Sequence, residues 1–331
     1  MEAMMTQEVL AAQAPSEIAP ISVRAASSWH RPLVIASTAL AIGMVVTGIA
    51  LFVDQRVLVG EPLWLKPFKF ALSLSLYGFT QAWLLTMVRK PRLGWWMGNV
   101  YVVTALTEFV IIVAQAIRGQ RSHFNSLTPF NQLLSQVMAA TVGILWLSTL
   151  VVLVLLLKTR FADAPMARAF RAGLGLTAVG MVLGFLMSRP TPDQLEALKN
   201  KQPSYFGGHS VGAPDGGPSL PLIEWNSMAG DLRVPHFVGL HAIQVLVLLC
   251  AVLAIRGREG GILADARTRA RLVAVAAVGY GGMIAVLTWQ ALRGQAFLSP
   301  DGATWTATGI VAAVVLVWTT IVLISATRRR A

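Results

Sequence analysis

Eight runs of about twenty apolar residues, each long enough to cross ~30 Å of hydrocarbon as a helix, leave this chain few ways to fold. They lie near residues 33–53, 69–88, 95–117, 134–157, 169–188, 236–255, 270–292 and 304–326. None alternates like a lipid-facing strand, so the backbone polar groups must be satisfied within helices. Only 13% of the residues are charged, against roughly 25% in a soluble domain. The expectation is an all-α integral membrane protein with eight transmembrane helices and the lipid bilayer as its first partner.

Charge sets the orientation. The net charge is +12, but the basic residues stand in short clusters between the apolar runs, so nucleic acid is not the implied partner. Most of the 27 lysines and arginines fall on one side if the amino terminus is cytoplasmic: Arg89, Lys90 and Arg92, then Lys158, Arg160, Arg168 and Arg171, then Arg256 to Arg271, then Arg328 to Arg330. Both termini are therefore expected in the cytoplasm, with the chain in a bacterial cytoplasmic membrane. Residues 1–31 lack the short apolar core of a signal peptide and read as a mobile cytoplasmic tail. The single cysteine, Cys250, excludes an internal disulfide and a dithiol mechanism.

One phrase is written twice. AQAIRGQ (114–120) closes the third run and WQALRGQ (289–295) closes the seventh, with five of seven letters shared. AIGMV (41–45) in the first run answers AVGMV (178–182) in the fifth, and PFKF (67–70) answers PHF (235–237) at the heads of the second and sixth. This order predicts two tandem four-helix repeats, over 32–158 and 168–327. Each repeat has an even number of spans, so both share one orientation. Gly180 and Gly184 sit at a spacing that lets backbones approach. All sixteen prolines are placed in loops or at span ends, which argues against a broken-helix transporter.

Chemistry is expected at the outer face. Between the fifth and sixth runs a long segment, 190–235, carries Tyr205, Trp225 and many glycines, and reads as a cap over the bundle. Of five histidines, His123, His209, His236 and His241 all lie at or just under this face. With Asp231 they could bind zinc, copper or iron. His236 and His241 stand about 140° apart on a helix, and no HExxH or CxxC spacing occurs. A haem is the other cofactor weighed, since duplicated four-helix units resemble the plan of haem-handling membrane enzymes such as haem A synthase, at fold level only.

Glu108 is the conspicuous acid. It lies ~15 Å below the end of the third run at 1.5 Å per residue, where an ionisable group marks a site, a partner or a proton path. Its counterpart in the second repeat is Met283, and the structural alternative to a site is a buried partner such as Lys69 or His241. Gln115 lies outward on the same face. Arg118, Arg121, His123 and Asn125 then offer donors to an anionic or other small-molecule ligand, as Lys69 and Arg233 could.

LKPFKFALS (65–73), RGQRSHFN (118–125) and GDLRVPHFVGLHAIQ (230–244) resemble a widespread family of uncharacterised multi-pass bacterial membrane proteins with SHFN and GDLRxxHFxGLHxxQ motifs. The likeness implies the architecture and no activity. Three functions remain open from the residues: a metal or haem enzyme of redox or hydrolytic type, with Glu108 and Asp231 as catalytic carboxylates; a transporter or small-ligand-binding protein with a polar site between the repeats around Glu108; and a scaffold subunit of a membrane complex.

Overall fold

The computed structural model describes residue 25, residues 28–200, residue 202 and residues 204–330. The expected tail over 1–31 falls almost wholly outside them. The helices are α1 (Arg31–Val53), α2 (Leu65–Leu85), α3 (Pro91–Ile117), α4 (Pro129–Lys158), α5 (Ala164–Leu186), α6 (Pro192–Lys199), α7 (Arg233–Leu240), α8 (Ala242–Arg258), α9 (Ala266–Leu292) and α10 (Gly302–Arg328). Two small hairpins, β1 (Val57–Leu58) with β2 (Glu61–Pro62) and β3 (Ser210–Val211) with β4 (Gly230–Asp231), are antiparallel.

Helix starts follow from local chemistry. Thr128, Asp163, Thr191 and Asp301 each accept a hydrogen bond from a backbone N–H of the first turn. Proline occupies the first turn of α1, α3, α4, α5 and α6, where its missing N–H costs nothing.

Six helices, α1, α3, α4, α5, α9 and α10, are long and apolar enough to cross a membrane, and the α7–α8 pair makes a seventh if counted as one span. Helix α2 is as long, but Lys66, Lys69, Thr80 and Gln81 interrupt its apolar run. Large apolar side chains cover the outside, among them Phe52 at 84% and Leu316 at 68% exposure. Water would not tolerate so large an apolar surface, whereas lipid does. The chain is a multi-pass membrane protein.

The sixth apolar run departs from expectation. It is not one rod: α7 and α8 meet at His241 with a bend of 45°. No proline causes the break. Gly239, two residues before it, lies against the backbone of Gly180 in α5, so a small-residue contact sets the path of α7 rather than a helix breaker. Gly184 likewise gives room to the His236 ring.

Helix α1 packs on α2 and α3, α2 on α3, and α3 on α4. In the second half α5 packs on α7, α8 and α9, the α7–α8 pair on α9, and α9 on α10. The halves meet where α4 lies against α5. There Trp146 Nε1 donates to the Ala178 carbonyl at 3.3 Å, and Trp83 of α2 meets Phe170 of α5 edge-on with ring centroids 5.1 Å apart. The core is thus continuous across the two halves.

Candidate functional site

The repeated phrase is a helix-end clasp. In α3, Gln115 Nε2 donates to the Arg121 carbonyl at 3.2 Å and to Asn131 Oδ1 at 3.1 Å, while its Oε1 accepts from Arg118 at 2.5 Å. In α9, Gln290 Nε2 donates to the Ala296 carbonyl at 2.9 Å, again six residues on. Gly119 and Gly294 both turn the chain at positive φ, 65° and 72°. Arg118 then reaches Asn131 in α4 at 3.2 Å, and Arg293 reaches Asp301 and Thr304 at the head of α10. Gln115 and Arg118, candidates for ligand binding from sequence, are thereby engaged in joining one helix to the next. Asn125 is also committed: it is fully buried, its side chain donates to the Arg121 carbonyl, and it bridges to Tyr205.

A second cluster ties the cap together. Asp231 is buried and its carboxylate accepts from the Asn226 N–H at 2.8 Å and from the Arg233 guanidinium at 2.8 Å. Arg233 also donates to Glu61 of β2 at 2.5 Å and to the Glu224 carbonyl. One guanidinium therefore links the hairpin of the first half to the cap. Burial alone would raise the Asp231 carboxyl, but Arg233 prevails and holds it below the ordinary range. His209 Nδ1 lies 3.3 Å from Asp215 and 3.9 Å from Asp231. Burial, reinforced by the Arg233 charge, pushes its imidazole down, against the two aspartates.

The third cluster is the one with unanswered groups. Glu108 of α3 is 2% exposed. Its Oε1 accepts the Thr141 hydroxyl of α4 at 2.5 Å, and its Oε2 is buried with no hydrogen-bond partner. The chain after α3 dips back into the bundle and brings His123 Nε2 to 3.8 Å from that Oε2. His123 is walled by Phe70 and Phe124, ring centroids 5.6 and 5.9 Å away, and its Nδ1 is 3.0 Å from Ser122 Oγ. Burial holds this imidazole well below its ordinary range, and the charges of Lys66 and His236 act in the same direction. Lys66, half-buried, lies over the Phe70 ring at 5.8 Å and acts on Glu108 by its charge, with no ion-pair contact between them. His236 of the second half acts on His123 by charge alone, its Nδ1 being engaged by the Gly180 carbonyl of α5 at 2.7 Å.

Neither expected partner of Glu108 is the observed one. Lys69 turns to the cap and donates to the Ile223 carbonyl at 2.8 Å. His241 stands at the α7–α8 break. Lys66 and Thr141 were missed: the first was overshadowed by Lys69 three residues on, and a threonine in an apolar run reads as packing until the facing helix is known. Arg121 is stacked on Tyr205, 4.2 Å from its ring. His236 acts on His123, and His241 on His236, by charge, but among the described residues no three His, Cys, Asp or Glu side chains come together as a metal site would require. Comparison with protein-family models, with curated proteins and with solved structures finds no match for this chain.

Proposed function

We propose that the chain crosses a bacterial cytoplasmic membrane eight times, as two parallel four-helix repeats with both termini in the cytoplasm, and that it binds or transports a small polar solute at the outer end of the seam between them. The repeat reading is supported by the same order of helix neighbours in both halves and by the paired Gln–Arg clasps. The observation that carries the functional reading is Glu108: a buried carboxylate oxygen without a partner, faced by an imidazole and lying in the field of a lysine. A polar group left unsatisfied at such depth is costly and persists where function requires it. A bent, interrupted helix beside this cluster adds support, since transporter sites are commonly built at discontinuous helices. The zinc, copper, iron or haem reading draws less support, because among the described residues no three His, Cys, Asp or Glu side chains come together.

Substituted cysteines test this directly. In a Cys250→Ala background, Lys66→Cys is expected to react with a membrane-impermeant maleimide added to intact cells, and Arg329→Cys only after permeabilisation. An inert cysteine at 66 would remove the outer path to the seam, and reaction of the cysteine at 329 in intact cells would overturn the orientation.

A further inference from the structure

Glu108 Oε2, buried without a hydrogen-bond partner, faces the Nε2 of His123. The 3.8 Å between Oε2 and Nε2 is too long for a hydrogen bond, yet a closure of about 1 Å makes one. Ser122 engages Nδ1, so Nε2 is the nitrogen left to serve the carboxyl group. Within the bundle a carboxylate with a single hydroxyl donor is expensive, and Lys66 is held off from it rather than collapsed onto it.

We propose that Glu108 and His123 hold one exchangeable proton between them, loaded from the cap end of the bundle, and that the proton is an ion bound by the seam site. This rests on the reading of the seam as a solute site. One proton leaves the pair neutral overall whichever partner carries it: as the O–H bond of Glu108 breaks, an N–H bond forms on His123 Nε2, and a neutral pair becomes an internal ion pair. Removing the proton leaves a carboxylate compensated only by Lys66 of α2 at a distance. Adding a second creates an imidazolium that faces Lys66 and His236 of α7; Arg121 of the same loop, which acts on Lys66, adds further positive charge. Burial opposes the first change and the surrounding positive charge opposes the second, which is the condition for holding one proton. No cavity is needed for so small a cargo.

Infrared spectra of the full chain in lipid, titrated with pH in light and heavy water, test the assignment. Wild type is expected to show a protonated-carboxyl C=O band that shifts in heavy water and is lost as pH rises. Glu108→Gln abolishes the band, and His123→Gln displaces the pH at which it is lost. An unchanged band in Glu108→Gln, or no titrating band in wild type, overturns the proposal. If Glu108→Gln does not fold, Thr141→Val serves instead: loss of the hydroxyl donor moves the band to higher frequency, and an unmoved band overturns the assignment. A reactive cysteine at 66 together with no titrating band removes the proton alone and leaves the solute site standing; an inert cysteine removes the site itself.

Discussion

Replacing Gly180 by alanine isolates the contact that directs the broken helix. A methyl group there would sit 2.5 Å from the carbonyl carbon of Gly239 and 2.6 Å from both its Cα and the Leu240 nitrogen. Carbon contacts are ordinarily 3.5–4.0 Å, so α5 and α7 must part by roughly 1 Å. Neighbouring atoms are backbone, which cannot rotate aside. Overpacking of this kind costs about 1–3 kcal/mol. Parting the helices also stretches the 2.7 Å contact between His236 Nδ1 and the Gly180 carbonyl, a hydrogen bond worth about 1 kcal/mol. Gly175 supplies the control, because it lies in the same helix with nothing within 4 Å of an added methyl. Gly175→Ala should stabilise by about 0.5–1 kcal/mol through backbone entropy alone. The same gain acts in Gly180→Ala, so the difference between the variants is the contact itself, about 2–4 kcal/mol. Unfolding titrated with sodium dodecyl sulfate in mixed micelles, followed by tryptophan fluorescence, reads that difference. Equal stability of the two variants would refute a close α5–α7 contact and with it the stated cause of the bend.

Arg233→Met should strip Asp231 and Glu61 of their shared cation and destabilise by about 3–5 kcal/mol in the same unfolding titration, with part of the loss recovered when Asp231→Asn is added. Gln290→Leu leaves the Ala296 and Phe297 carbonyls without their donor and should cost about 1–3 kcal/mol; a neutral outcome would show that the clasp does not hold the end of α9 to the turn before α10. Stability should also depend on pH. His123 and His209 are both held below their ordinary value of 6.5 in the fold, so the unfolded chain takes up protons first as pH falls. Their contribution is therefore complete above 6.5 and is lost as pH drops below it. Unfolding midpoints measured from pH 8 downward should fall, and the double variant His123→Gln/His209→Gln should flatten that fall.

The helical membrane architecture was legible in the residues alone, because a run of twenty apolar residues has one way to satisfy its backbone in lipid. Caps and first-turn prolines mark the helix starts closely, since both act within four residues of chain. Glu108 also stands out unaided, as its cost inside a membrane does not depend on which neighbours it has. The surroundings of that acid came from packing. Depth along a helix offered Lys69 as a partner, with His241 as another, but facing is a matter of helix rotation and of how a loop folds back. Those brought Thr141 and His123 to Glu108, set Lys66 in its field without contact, turned Lys69 to the cap, and left no three metal-ligating side chains together among the described residues. The bend at His241 lay beyond reach for the same reason: its cause is a glycine on another helix, in contact with Gly239 only once α5 and α7 have packed.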